Sequence, residues 1–405
     1  MDTRNTEETT APLSRLEISL DAIAANVAAV RERVGPGVTI CGVVKKDAYG
    51  LGGVTVAHRL TKAGCGMLAV YSPEDAEQLN AGAVTTPMLL LYPLRHLSRT
   101  EGLYRPAVAE RLHLTIHDLD QLDQLDRLGR TFGMRLPVHL YVDTGMSRSG
   151  LSPEEFGQTL DTQGSRRYLR VAGVMSHLAT ASGDPARAQK QLDKFDQLLE
   201  QHRPAIPDDA LVHVANSYGV LRAAAYHRTM VRPGLGLYGY GEHDLVGQPS
   251  IDDKDSTIWT PSLRWLSRLV HVGVYPRRAR VGYGATYPLQ RKSTLGLVPV
   301  GYGDGYPLAL SSDPDTHEPR AVVRVRLDDT WHNAPVLGRI NMDQLSVDLT
   351  ELAKQTDTNL RDRDVEVYSN DPDAPNALHR LAAAADTHCY EMLTRLSLNL
   401  PRVYV

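Results

Sequence analysis

Lys45 stands at the end of an apolar run, TICGVV, and is followed at once by Lys46, Asp47, Ala48, Tyr49 and Gly50. An amine delivered to the C-terminal mouth of a buried strand suits Schiff-base chemistry, because desolvation lowers a lysine pKa and makes its nitrogen nucleophilic. A strand running out into solvent, where lysines are ordinary, is the plainer alternative. Other apolar runs end in polar groups of similar promise. VHLYV leads to Asp143 and, through TGMSRSG, to Arg148; VAGVMS leads to Ser176 and His177. LVHV leads to Ala215, Asn216 and Ser217, and TMV to Arg232, Pro233 and Gly234. Each has a dull explanation by itself: Asp143 capping a turn, His177 as a core histidine, Arg232 paired with a surface carboxylate. Their convergence on one rim favours function.

The elements that must position these residues follow from periodicity. From Asp21 onward, helical stretches such as DAIAANVAAVRERV, SPEDAEQLNAG and HDLDQLDQLDRLGR alternate with short apolar runs. Counting from TICGVV gives eight strand-helix units, the number that closes a parallel (β/α)8 barrel of the TIM type, whose chemistry sits where the strands end. The loops after strands seven and eight of such barrels commonly bind phosphate. Ser217 offers a hydroxyl there, and Gly234 and Gly236 of RPGLG let the backbone approach an anion. An imine-forming lysine and a phosphate cradle in one barrel together imply pyridoxal 5'-phosphate.

The remaining features bound the answer. The 405 residues suggest two domains, and a net charge of −4 with mixed signs gives no nucleic-acid footprint. No apolar run approaches the roughly 18 residues of a membrane span. The polar start MDTRNTEETTAP reads as a flexible tail on a cytoplasmic protein. Cys41, Cys65 and Cys389 lack metal-ligand spacing and read as small buried hydrophobes. After about residue 240 the pattern changes to alternating segments, RLVHVGVY, TLGLVPV, RAVVRVRL, APVLG, QLSVDL and VEVYS, with a short helix around RLAAAAD. The expected division is a flexible tail over 1–15, the barrel over 16–245 and a mostly antiparallel β-domain over 246–405.

From about residue 16 onward the chain resembles the alanine racemases, which are fold-type III pyridoxal-phosphate enzymes. The resemblance rests on VVKKDAYGLG, VDTGMSRSGL, MSHLATAS, ANSYG, RPGLGLYG, VGYGATYP, VPVGYGDGYP, GRINMDQLSVDLT and CYEMLTRL with PRVYV, in the family's order. It implies that Lys45 carries the cofactor as an aldimine and serves as one base. Tyr283 would be the opposing base, contributed across the interface of a homodimer with composite sites. Tyr49, Ser217, Gly234, Leu235 and Tyr390 would hold the phosphate, and Arg232 would face the pyridine nitrogen with His177 beside it. Arg148 would sit near the cofactor's phenolic oxygen and the substrate carboxylate, while Tyr302 and the Met342 backbone N–H would complete the substrate site from the partner subunit. The implied reaction is interconversion of L- and D-alanine by two-base transfer of the Cα proton.

The chain departs from the family's pattern at several positions. Tyr141 stands where several members have a lysine, often carbamylated, so Arg148 must be held by something else. Gly282 replaces a frequent serine, Asn341 a small residue or cysteine, Leu178 a phenylalanine and Lys46 an alanine. Asn341 and Leu178 are expected near the substrate or its entrance, which leaves open a racemase for another or broader set of amino acids. Strand alternation lets only one of Lys45 and Lys46 point into the barrel mouth, and the four-residue step to Tyr49, which matches the family's pattern, implies Lys45. A fold-type III decarboxylase is the nearest rival, but such enzymes pair the pyridine nitrogen with an acid and carry a C-terminal cysteine, against Arg232 and GRINMDQ here. A non-catalytic cofactor carrier would need only the barrel.

Overall fold

The computed structural model describes residues 12–241 and 259–405. They form two compact units, one of Leu20–Ser262 and the other of Leu263–Val405 joined by the described residues before Leu20. The first strand, β1 (Arg15–Ile18), belongs to the second unit, and the eight that follow build the first. These are β2 (Thr39–Val43), β3 (Met67–Val70), β4 (Met88–Leu90), β5 (Leu112–Ile116), β6 (Leu136–Tyr141), β7 (Leu169–Met175), β8 (Leu211–His213) and β9 (Met230–Val231). They pair in parallel in the order β8-β7-β6-β5-β4-β3-β2-β9. The gap between the outer two is closed by single bonds, Thr229 N–H to Val212 O at 3.1 Å and Arg232 N–H to Ala215 O at 2.8 Å. The result is the nearly closed TIM-like barrel that the eight apolar runs predict.

Helices between the strands start and stop on local signals. Ser72 and Ser152 form capping boxes with Asp75 and Glu155 ahead of helices Pro73–Ala81 and Pro153–Asp161, each opening on proline. Helix Leu119–Phe132 begins on the Asp118 cap and ends at Gly133 in the left-handed region. Its buried side chains, Gln121, Leu122 and Leu125, fall on one face, as the repeated leucines require.

The second unit is a nine-stranded sheet ordered β11-β14-β17-β16-β15-β18-β10-β1-β19. Its strands are β10 (Leu263–Arg268), β11 (His271–Tyr275), β14 (Ser293–Val298), β15 (Val322–Leu327), β16 (Thr330–Leu337), β17 (Leu345–Asp348), β18 (Asp364–Tyr368) and β19 (Arg402–Tyr404), with β12 (Arg280–Val281) and β13 (Tyr287–Pro288) forming a separate ribbon. All pairings are antiparallel except β1 with β19. The expected short helix is Leu378–Ala384.

One expectation is corrected here. The barrel expected over 16–245 starts later, because β1 pairs with β10 and β19 in the second unit. The end of the expected tail is held there as well: the Trp265 indole donates to Ser14 Oγ at 2.7 Å, and the Ser267 hydroxyl donates to the Leu13 carbonyl at 3.1 Å. The tail's first eleven residues and the 245/246 boundary lie outside the described residues.

A buried carboxylate ties the second unit together. Glu366, 1% exposed, accepts from Arg264 and Arg324, each at 2.7 Å. Removing one member of such a group leaves buried charge uncompensated. Glu366→Gln is therefore expected to cost about 3 kcal/mol, measured by denaturant unfolding. An unchanged midpoint would mean that the two arginines are adequately solvated without it.

Candidate active site

β2 ends at Val43, and the chain then winds into a short turn, Lys45–Gly50. Lys46, Asp47, Ala48 and Tyr49 all have positive φ, from 52° to 58°. L-residues avoid this left-handed conformation, which costs roughly 1–2 kcal/mol each. The turn is held by Ala48 N–H to Val44 O at 2.9 Å, Gly52 N–H to Asp47 O at 3.0 Å and Gly53 N–H to the Asp47 carboxylate at 2.6 Å. Neither Lys45 nor Lys46 is on a strand, so alternation is not what separates them. The turn does so: Lys45 is half-buried and Lys46 is exposed. Burial lowers the Lys45 pKa, and the Arg148 cation lowers it further.

Tyr49 is 5% exposed and packs its ring 5.0 Å from that of Tyr238, whose hydroxyl donates to Val43 O at 2.7 Å. Beside it, the Ser217 hydroxyl accepts from the backbone N–H of Gly234 at 2.9 Å and of Gly236 at 3.0 Å. Its own proton is left to donate elsewhere. A Cβ at Gly234 would overlap the Tyr49 hydroxyl. These contacts make a small cradle of hydroxyls and backbone with Leu235 next in line, and the absent side chain at 234 keeps it open. Gly234→Ala is expected to displace Tyr49 and weaken anion binding there, read as a raised Kd in a phosphate-compound titration of the folded protein. Unchanged binding would show that Tyr49 can yield.

Arg232 is 4% exposed, and its surroundings fix every proton. It donates to Ser176 O at 2.8 Å, His177 Nδ1 at 3.2 Å and His213 Nδ1 at 2.6 Å. Guanidinium has no acceptor, so both imidazole atoms carry lone pairs. His213 Nε2–H must then donate to His139 Nδ1 at 2.8 Å, and His139 Nε2–H to His113 Nδ1 at 2.9 Å. Three neutral histidines thus run in one direction through the barrel. Burial brings the Arg232 pKa down to about 10, which leaves it cationic at neutral pH. Burial and the arginine's charge bring His177 down to about 3. Sequence reading missed the histidine chain. Its signal was a single histidine inside each of LHLTI, VHLYV and LVHV.

The same chain predicts acid lability. Burial brings His113 down to about 4 and places His139 and His213 well below the ordinary value of 6.5. Above pH 6.5 folded and unfolded chains both leave them neutral, and stability is complete. As pH falls from 6.5 towards 4, only the unfolded chain takes up these protons, so each histidine withdraws up to about 1.4 kcal/mol per pH unit. Melting temperature should fall steeply between pH 6.5 and 5, and His113→Gln should flatten that slope. A melting temperature constant over this window would contradict the proton assignment.

Asp143, after β6, accepts N–H bonds from Gly145, Met146 and Ser147 at 2.8–2.9 Å, which winds the loop carrying Arg148. Arg148 is exposed, and its charge acts on both Lys45 and His177. Lys45, Arg148, His177 and Arg232 therefore share one barrel mouth. Leu178, next to His177, is 3% exposed and lies against Gly219.

Tyr283, Tyr302, Met342 and Tyr390 lie in the second unit. Tyr283 follows Gly282, whose φ of 73° and ψ of −174° favour glycine over the serine frequent in the family. Tyr302 N–H donates to Asn341 O at 3.0 Å and Gly303 N–H to Met342 O at 2.8 Å, which holds the Tyr302 and Met342 segments together. Tyr283, Tyr302 and Met342 are 70%, 45% and 55% exposed. Tyr390 is half-buried on helix Cys389–Thr394. The three cysteines are buried and form no disulfide.

Family models for the N-terminal and C-terminal domains of alanine racemase match residues 18–242 and 262–404. The alanine racemase of Halothermothrix orenii is 32% identical over 389 residues, covering 96% of both chains. The solved alanine racemase from Streptomyces coelicolor A3(2) superposes with a TM-score of 0.82 at 30% identity, covering 97% of this chain and 98% of that one. Alanine racemase from Bartonella henselae, solved with covalently bound pyridoxal phosphate, gives a TM-score of 0.79 at 25% identity, covering 98% of this chain and all of that one (100%).

Proposed function

The chain belongs to the alanine racemase family, and from that premise we propose how its residues interconvert L- and D-alanine with pyridoxal 5'-phosphate. The relatives support alanine as substrate in preference to another amino acid, and racemisation in preference to decarboxylation. The observation that carries the reading is the half-buried Lys45, its pKa lowered, sharing a barrel mouth with a buried cationic arginine.

The residues present fit the cofactor. The cradle at Gly234 is open only because that residue lacks a Cβ, and the Ser217 hydroxyl retains a proton to donate. Ser217, Tyr49, Gly234, Leu235 and Tyr390 would hold the phosphate, and Lys45 would hold the cofactor covalently. When bound, pyridoxal phosphate supplies an electron sink that acidifies the alanine Cα–H. Arg232 would donate to the pyridine nitrogen, with His177 beside it. A guanidinium gives up no proton near neutral pH, so Arg232 would leave that nitrogen unprotonated and the sink weak. Restraint of the sink favours reprotonation over side reactions.

Racemisation takes a proton from one face of Cα and returns one to the other, so it needs two bases on opposite sides. Lys45 Nζ would hold the proton on the D side. Tyr283 Oη would do the same on the L side, each within about 3 Å of Cα. Arg148 would receive the substrate carboxylate, and Tyr302 with the Met342 backbone N–H would close the site. The second group would come from a partner subunit in a homodimer with two composite sites. Support for this reading comes from three exposed side chains, Tyr283, Tyr302 and Met342, in one unit. Among the described residues no helix is long and apolar enough to cross a membrane, and cysteines left as thiols suit a cytoplasmic enzyme.

Conversion of L- to D-alanine by the purified protein with pyridoxal phosphate tests the activity; failure in both directions would refute it. Mixing inactive Lys45→Ala and Tyr283→Phe chains tests the composite site. Once subunits exchange, one hybrid site regains both bases, and activity should return. Persistent inactivity despite demonstrated exchange would place both bases on a single chain.

A further inference from the structure

Tyr141 closes β6 with 2% of its surface exposed, and its hydroxyl has no hydrogen-bond partner. The His117 ring, one residue past β5, packs edge-on against it at 5.4 Å. His117 Nε2 lies 3.0 Å from the Leu91 carbonyl, which can only accept, so Nε2 carries the proton. Burial holds the ring's pKa below its ordinary value and keeps it neutral. His117 Nδ1 is thus a lone pair, and it too is buried without a partner. Leaving such atoms unpaired costs about 1–3 kcal/mol each. Two in adjoining side chains at the mouth of the barrel call for a donor.

Arg148 is the complementary group. Guanidinium has five N–H donors and no acceptor, and this one is exposed. Its charge reaches His117, as it reaches Lys45 and His177. The loop beneath it is already set: Asp143 caps it, Ser147 has φ of 56°, and Leu151 N–H donates to the Tyr141 carbonyl at 2.7 Å. Only the flexible side chain has to turn.

We propose that Tyr141 and His117 are positioning residues for Arg148: its guanidinium turns inward and donates to Tyr141 Oη and His117 Nδ1, which fixes it to receive the carboxylate of alanine. This rests on the carboxylate role given to Arg148 above. It answers the departure at Tyr141, where the phenol and its histidine neighbour together do what another side chain does in several relatives.

The test is steady-state kinetics of the holoenzyme, with thermal melting, for Tyr141→Phe, His117→Leu, His117→Gln, Arg148→Lys and the Tyr141→Phe/Arg148→Lys double variant. Tyr141→Phe should raise KM for alanine about tenfold, the equivalent of about 1.4 kcal/mol, with a smaller change in kcat and no loss of melting temperature. His117→Leu should behave similarly, and His117→Gln, which restores an acceptor, should recover most of the affinity. In the double variant, Tyr141→Phe should add little to Arg148→Lys. A purely structural Tyr141 predicts the opposite, since deleting an unpaired hydroxyl would leave KM alone and stabilise the fold. If Arg148→Lys raises KM while Tyr141→Phe and His117→Leu keep the wild-type value, the positioning role is overturned and the role of Arg148 stands. If Arg148→Lys itself leaves KM unchanged, the carboxylate role falls and takes this inference with it.

Discussion

Lys45→Ala should abolish covalent cofactor binding and lower turnover by at least about a thousandfold, because one substitution removes both the attachment point and a base. Lys46→Ala should keep the bound cofactor and most activity, since Lys46 is exposed while Lys45 is half-buried with a lowered pKa. Borohydride reduction followed by digestion separates the two. Cofactor fixed to the Lys45 peptide supports the assignment; a label on Lys46 would mean that the turn presents the other amine. The melting temperature of apo Lys45→Ala checks that the barrel persists.

Tyr283→Phe should cripple racemisation in both directions, by about 10²–10⁴-fold, the usual contribution of a positioned acid-base group. It should nevertheless leave Lys45 able to exchange the Cα proton of D-alanine with solvent, because each base reaches only its own face. In deuterated water the variant should label D-alanine and spare L-alanine. Misfolding would silence both enantiomers, so the asymmetry is itself the control. Faster exchange from L-alanine would strip Tyr283 of its role on that face.

The eight barrel strands were legible because each is a short apolar run and most are followed by a helical stretch, and burial leaves few alternatives for such a run. The residues at their ends, from Lys45 to Gly234, were legible for a related reason: polar residues and glycine arrive abruptly where each apolar run stops. β1 was not legible as part of the second unit. Its partners, near Leu263 and Arg402, are far away in sequence, and RLEI carries nothing that names them. The turn after β2 was also hidden, because lysine, alanine and tyrosine give no warning of positive φ. The histidine chain links residues 26 and 74 positions apart, and each residue alone resembled an ordinary core histidine. Tyr141 was visible as a departure, but its unpaired hydroxyl is a property of packing.

The left-handed turn also bears on how mutational scans of this protein will read. At positions 46 to 48 a β-branched residue is penalised by backbone geometry, whatever its side chain contributes to catalysis. Valine or isoleucine there should depress activity by unwinding the segment that aims Lys45, and a scan scored on activity alone would file Lys46, Asp47 and Ala48 among the chemical groups. Glycine at the same positions separates the two causes: it accepts the torsion and deletes the side chain. Positions that fail with valine and survive with glycine are constrained by the path of the chain.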